Sequence, residues 1–173
     1  PSASLRDLAM RCTQDQVKFV PNWGRNRMRG MLESRPDWCL SRQRAWGLPI
    51  PAFTTPDGDI VLTAASTRAV AEAIGERGSD AWFTETPEQL LATWDVGSDP
   101  DAPAGVSVDS LAKTYDIFDV WFESGSSWNA VMRRRGLGYP VDLYLEGSDQ
   151  HRGWFQLSLL PGLGVTAQSP FKT

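Results

Sequence analysis

The sequence predicts an α/β fold, on three observations. Hydrophobic residues make up 41% of the 173 positions, enough to bury a core and to exclude wholesale disorder. Stretches with helical spacing alternate with short extended runs along the chain. Near the C-terminus, residues 141–145 alternate as a strand, Gly147 follows, and residues 153–160 read as an apolar helix. Strand, glycine turn and helix form the unit of an open α/β sheet, whose ligands bind beyond the carboxyl ends of the strands. The length suits one medium domain, or one domain with a small insert.

Taken in order, residues 2–16 read as a polar helix with Leu5, Leu8, Ala9 and Cys12 at helical spacing. Residues 18–21 form a short extended piece ended by Pro21. Asn22 is placed to cap a helix over 23–33, with Met28, Met31 and Leu32 on one face. Pro36 restarts the chain. Residues 37–46 are predicted helical and stopped by Gly47. Residues 48–53 read as a strand whose prolines argue for an edge or an irregular pairing. Residues 56–59 make a hairpin-type turn. Residues 60–113 read as a small α+β insert. In it, Ser66 or Thr67 caps a helix through Ile74, with Val70, Ala71 and Ile74 in register, and Gly75 begins its end. A short helix covers 87–93 and a polar loop covers 95–106. Residues 116–122 form an apolar, aromatic strand ending near Trp121. Residues 125–127 break it and open a helix through Met132.

The net charge of −4 argues weakly against a dedicated nucleic-acid-binding module. Basic residues are nonetheless concentrated from Arg11 to Arg44. Such a run can face phosphates, or it can be an ordinary solvated helix face. Cys12 and Cys39 form no CxxC pair, so neither a zinc site nor a disulfide framework is expected, and a reducing compartment fits. The single histidine, His151, excludes a three-histidine metal site. No run reaches membrane-spanning length, and no signal peptide is recognisable. Both ends, Pro1 and Thr173, read as cuts through a longer protein.

The densest concentration of chemistry is Glu146-Gly147-Ser148-Asp149-Gln150-His151-Arg152, at the strand-to-helix junction. A glycine there lets a ligand approach the backbone. Glu146 and Asp149 can accept hydrogen bonds from ribose hydroxyls or an ammonium group, and Gln150 can both donate and accept. The N–H groups of the following helix add a field favourable to anions. The alternative is a polar loop whose acids and Ser148 merely cap the helix. No serine or cysteine motif accompanies His151 to make a nucleophilic triad. Glu146 and Asp149, in one turn, are poorly placed to flank a sugar as a glycosidase pair. If their strands are neighbours, Trp121 and Trp154 form two walls of one aliphatic pocket; ordinary core packing is the competing reading.

Three motifs carry a family resemblance. Arg35-Pro36-Asp37-Trp38-Cys39-Leu40-Ser41-Arg42-Gln43-Arg44-Ala45-Trp46-Gly47-Leu48-Pro49-Ile50-Pro51 resembles the segment that follows the editing insertion of large class I aminoacyl-tRNA synthetases. Asp119-Val120-Trp121-Phe122-Glu123-Ser124-Gly125-Ser126 is similar to a second signature of that group. Tyr144-Leu145-Glu146-Gly147-Ser148-Asp149-Gln150-His151-Arg152-Gly153-Trp154-Phe155 resembles the isoleucyl-tRNA synthetases specifically. These anchor residues 35–173; residues 21–32 match more loosely and 1–16 carry no assignment.

The resemblance implies the second half of a Rossmann-like catalytic domain, between the editing insertion and the KMSKS motif. Residues 1–34 would be a helical return from the editing insertion, 35–59 and 114–173 part of the catalytic domain, and 60–113 the insert. The implied reaction joins isoleucine and ATP to isoleucyl-adenylate, then passes the isoleucyl group to tRNA(Ile). Glu146, Gly147, Asp149 and Gln150 would contact the adenylate, and Trp121 and Trp154 would wall the isoleucine side chain; no residue here is implied as catalytic. ATP enters as substrate, with Mg2+ expected in the complete enzyme and no zinc in this stretch. A monomeric, cytoplasmic full-length enzyme is implied. HIGH and KMSKS motifs do not occur in these 173 residues, so the piece alone is expected to be inactive. Departures are Trp128 where many relatives have histidine, Glu123 where aspartate is common, and Pro161 inside the last helix, which should shorten or kink it. The competing readings are a non-catalytic synthetase paralogue binding tRNA or a protein partner, and a valyl or leucyl relative.

Overall fold

Residues 4–35 and 37–173 are described by a computed structural model. The readings placed on Ser2 and Ala3 of the first helix, and on Pro36, lie outside them. Contacts divide the chain into two units. One is Ser41–Phe118; the other is formed by the residues flanking it on both sides.

In the flanking unit, α1 (Leu5–Asp15) starts at Ser4, whose hydroxyl accepts from the Asp7 amide while Asp7 reaches back to the Ser4 N–H. It buries Ala9, Cys12 and Thr13. α2 (Trp23–Ser34) buries Gly24, Met28 and Leu32, close to the predicted face. Asn22 precedes α2, but its side chain makes no capping bond, contrary to expectation. α6 (Val120–Gly125) is capped by Asp119, and a π-helical stretch, Trp128–Arg133, follows. α7 (Trp154–Thr166) is apolar all round and buries Leu157, Ser158, Leu159, Gly162 and Leu163, as suits a helix enclosed by neighbours. α1 and α6 pack against it. Ala9, Cys12, Val17, Met28, Leu32, Trp128, Tyr144, Leu159, Leu163 and Phe171 form this core.

α7 does not stop at Pro161, as its ring led us to expect; it continues to Thr166. Pro161 has no N–H for the Leu157 carbonyl four residues earlier. That carbonyl instead faces Gly125 of α6, where an added Cβ would lie 2.1 Å from the oxygen. One Cα–H of Gly125 therefore points at an acceptor the helix leaves free, the arrangement of a weak C–H···O contact.

Three readings need correction. Residues 37–46 are not helical. β1 (Ser41–Arg42) pairs antiparallel with β5 (Ile117–Phe118), and this pairing consumes the backbone groups a helix would need. Trp121 does not end a strand: β5 stops at Phe118 and Trp121 lies in the first turn of α6. Residues 141–145 form no regular strand. They are held beside the C-terminal residues by a parallel bridge from Val141 to Phe171, with Tyr144 N–H donating to the Thr173 carbonyl at 2.9 Å. Among the described residues, the regular strands pair antiparallel. The fold is thus a mixture of helices and short strands.

In the unit Ser41–Phe118, Pro49 and Pro51 keep residues 48–52 from regular pairing, as expected of residues without N–H. β2 (Phe53–Thr54) is central, between β3 (Ile60–Val61) and β4 (Ala112–Lys113). The predicted turn joins β2 to β3, with Gly58 at φ +90°. Thr63, not Ser66 or Thr67, caps α3 (Ala64–Arg77); Ser66 is the reciprocal partner of the box. α3 runs through Gly75 and ends at Gly78, φ +85°. Its buried face is Ser66, Ala69, Val70 and Ala73, while Ala71 is exposed. The short α4 (Ala81–Thr84) and α5 (Pro87–Leu90) follow, the latter starting at the predicted proline. Phe53, Val61, Val70, Trp82, Leu90 and Trp94 fill the core.

Asp99 ties this core to the α3 cap. Its Oδ2 accepts the Thr63 hydroxyl at 2.6 Å and the Trp94 indole N–H at 2.8 Å. The Thr63 bond, first, and the Trp94 bond hold the Asp99 carboxyl below its ordinary value. A carboxyl lowered on folding contributes stability above its unfolded pKa, about 4, and loses it as pH falls through the folded value. Thr63→Val should therefore flatten the acid limb of an unfolding-midpoint titration between about pH 5 and pH 2; an unchanged acid limb counts against this linkage. Gly125→Ala should destabilise the protein by roughly 1–3 kcal/mol, because the Leu157 backbone cannot retreat as a flexible side chain would. Denaturant unfolding measures this, and a change within about 0.5 kcal/mol would count against the close crossing of α6 and α7.

Candidate functional site

The Glu146–Arg152 segment wraps into a single 3-10 turn, Ser148–His151, just before α7. Its shape is set by short local bonds. Gln150 N–H donates to the Gly147 carbonyl at 3.1 Å, and Gly153 N–H donates to the Gln150 carbonyl at 3.1 Å. The Gln150 side chain works in both directions. Its Oε1 accepts the Trp154 N–H at 3.0 Å, and its Nε2 donates to Asp149 Oδ2 at 2.9 Å. Gln150, and not Ser148, thus satisfies a free amide of the first turn of α7. Asp149 folds back over Gly147: a Cβ there would lie 2.8 Å from Asp149 Oδ1. Gly147 N–H donates to Glu146 Oε2 at 3.2 Å. Glu146, Gly147, Ser148 and Asp149 are exposed, so acceptor oxygens remain available to a ligand.

The two tryptophans meet this turn differently. Trp154 stacks on Tyr144, rings 4.0 Å apart and 9° from parallel, and its indole N–H donates to the Ser124 carbonyl at 3.0 Å. Trp121 lies against Gly153, where an added Cβ would be 3.0 Å from the indole ring and 2.6 Å from Gln150 Oε1. Gly153 is therefore the point where Trp121 and Gln150 close on the start of α7. Trp121 is held by its own N–H to Asp119 Oδ1 at 3.3 Å, and Asp119 also accepts the Trp38 indole N–H at 2.9 Å.

A cavity of about 360 Å3 opens on the turn, bounded by Val17–Pro21 on one side and by Tyr144, Glu146, Ser148, His151 and Phe155 on the other. Its lining includes neither Trp121 nor Trp154. Tyr144 is a contributor that the sequence reading missed, although the exposed Leu143 and Leu145 on either side of it carried the signal of alternation. Burial pushes the Tyr144 phenol up, against smaller opposing effects of the nearby Ser127 and Ser158 hydroxyls, so it stacks on Trp154 uncharged. Among the described residues, no group of three or more His, Cys, Asp or Glu is arranged to hold a metal ion.

The family model for class I tRNA synthetases (I, L, M and V) matches residues 2–173. The chain belongs to that family. It is 46% identical over 159 residues to an isoleucine–tRNA ligase of Lactobacillus acidophilus, covering 91% of this chain and 16% of the relative. With an isoleucine–tRNA ligase of Nitratiruptor sp. it shares 44% over 173 residues, covering 98% of the chain and 18% of the relative. With that of Aliarcobacter butzleri it shares 45% over 174 residues, with the same coverage. The chain thus spans 16–18% of the length of these curated relatives.

In this class I synthetase the residues singled out as Glu146, Gly147, Asp149 and Gln150 form one turn, and Trp121 and Trp154 approach that turn through Gly153. The crowding there gives a sharp expectation. Gly153→Ala in the full-length synthetase should displace the Gln150 amide and the Trp121 ring together. Overpacking at this point should destabilise the protein by roughly 1–3 kcal/mol. Denaturant unfolding measures it, and a change within about 0.5 kcal/mol would contradict the convergence at Gly153.

Proposed function

We propose that these residues are the part of an isoleucine–tRNA ligase that holds isoleucyl-adenylate. The observation that carries the reading is the exposed turn whose Asp149 and Gln150 side chains are already fixed by hydrogen bonds to each other and to the start of α7. The isoleucine–tRNA ligases among its relatives support the choice of amino acid. In the first step a carboxylate oxygen of isoleucine attacks the α-phosphorus of ATP, and pyrophosphate leaves. In the second, a terminal ribose hydroxyl of tRNA(Ile) attacks the acyl carbon and AMP leaves.

The residues here position and stabilise; none supplies a covalent intermediate. Asp149 and the Gly147 backbone are assigned to the ribose. Gln150 Oε1 has one lone pair on the Trp154 amide and a second for the α-ammonium. Glu146 helps to hold the adenylate. Trp121 and Trp154 flank the isoleucine side chain, and the Trp154 indole, stacked and hydrogen-bonded, makes a stiff wall. The parallel bridge of Val141 to Phe171 supports a Rossmann-like sheet in the whole enzyme. ATP brings Mg2+ as its counter-ion; no metal-holding cluster occurs among the described residues, and no step is routed through one here. Without HIGH and KMSKS motifs, these 173 residues alone are not expected to catalyse exchange.

Two substitutions in the full-length enzyme test the assignment. Trp154→Ala should raise the KM for isoleucine far more than that for ATP; equal losses would argue against the pocket. Asp149→Ala should weaken binding of a non-hydrolysable isoleucyl-adenylate analogue by roughly 1.5–3 kcal/mol, as expected for a charge-assisted bond. Calorimetric titration reads this directly, and an unchanged Kd removes Asp149 from the site.

A further inference from the structure

We propose that His151 is a positioning residue for the adenylate turn, and that the start of α2 is the clamp that holds it; this rests on the reading of the turn given above. His151 is buried, 6% exposed, although it closes a turn whose preceding residues are exposed or half-buried. Its Nδ1 lies 2.8 Å from the Ser148 carbonyl oxygen. A carbonyl can only accept, so Nδ1 carries the proton and the ring closes the 3-10 turn through a side chain. The bond spans the two residues that carry Asp149 and Gln150.

The ring itself is held from outside the turn. Trp23 lies 5.9 Å away between centroids, tilted by 35°, and Phe155 meets it edge-on at 5.4 Å. At the ring's far end, a Cβ on Gly24 would be 2.9 Å from Nε2, so only glycine leaves room at that point of α2. α2 packs against the turn at this place. Residues 23 and 24, which had no role in the site, thereby fix an imidazole, and the imidazole fixes the backbone between Asp149 and Gln150. A side chain that only filled space would need the ring but not its N–H. His151 uses both.

The test is made in the full-length synthetase by isoleucine-dependent ATP–pyrophosphate exchange, with thermal unfolding measured in parallel. His151→Phe keeps a ring between Trp23 and Phe155 and removes the N–H. It should keep the Tm near wild type, yet lower kcat by about ten- to a hundredfold. The KM values for isoleucine and ATP should rise together, since the disturbed turn carries both Gln150, assigned to the α-ammonium, and Asp149, assigned to the ribose. His151→Asn restores a donor near the Nδ1 position and should recover part of that loss despite poorer packing. Gly24→Ala, which presses on the ring without removing its N–H, should also lower kcat. Full activity in His151→Phe overturns the proposal, as does loss in all three variants that merely follows their Tm. Asp149→Ala in the same assay separates the two readings. If it is silent, the adenylate turn itself is wrong and this proposal falls with it. If it loses activity while His151→Phe does not, only the positioning role is lost.

Discussion

Gln150 Oε1 accepts the Trp154 N–H, and this bond decides where α7 begins. The first N–H groups of a helix have no partner within it, so a start at Trp154 requires an acceptor from outside. Because the acceptor is a glutamine, its amide has donors left, and Nε2 holds Asp149. One side chain thereby couples the end of a buried apolar helix to an exposed carboxylate. Gly153 leaves the space in which this happens: a methyl group there would meet both Gln150 and Trp121. The geometry of the turn is therefore a consequence of helix termination, and the rigidity of α7 is transmitted to the groups that face solvent.

That rigidity has its own source. Pro161 removes the donor for the Leu157 carbonyl, and Gly125 brings α6 close enough to face the oxygen left free. A larger residue at 125 would push α6 away, and with it Trp121, the Ser124 carbonyl that receives the Trp154 indole N–H, and the Ser127 hydroxyl 3.2 Å from the same nitrogen. The glycine in the Trp-Phe-Glu-Ser-Gly run thus acts at one remove from any ligand. The two tryptophans are neighbours of one turn because two helices cross closely, not because two strands lie side by side.

Legibility in the sequence followed the range of the forces involved. α1, α2 and the start of α7 could be read from apolar spacing, and the Pro56–Asp59 turn from its turn chemistry, because both signals are local. That residues 146–150 lead into the last helix as a polar break was also readable, since a glycine among consecutive polar residues marks it locally. Residues 37–46 were misread because their helical composition is overridden by pairing with Ile117 and Phe118, far away in sequence. Trp121 was placed at a strand end because nothing in an apolar run marks Asp119 as a cap. Thr63 was passed over in favour of Ser66 or Thr67, although Thr63 and Ser66 form a reciprocal pair in which either could be mistaken for the cap. Residues 141–145 alternate as a strand should, and Tyr144 is indeed buried between exposed Leu143 and Leu145. Alternation reports which side faces the core; it does not supply the partner needed for a ladder.

The cavity beside the turn shows why local and long-range contributions need separating. It is bounded by the chain entering α2, by Tyr144 and by His151. The Ser148–His151 turn could form from its own bonds in many settings, but its orientation cannot. An isolated turn of this kind has little to oppose the entropy of its free rotation, roughly 1–2 kcal/mol per ordered residue. His151 supplies the opposing contacts by entering a buried slot made by Trp23, Gly24 and Phe155. On the proposed reading, adenylate chemistry asks a protein for fixed placement of acceptors more than for reactive groups. A turn shaped locally but oriented by one buried imidazole would meet that demand while leaving Asp149 exposed.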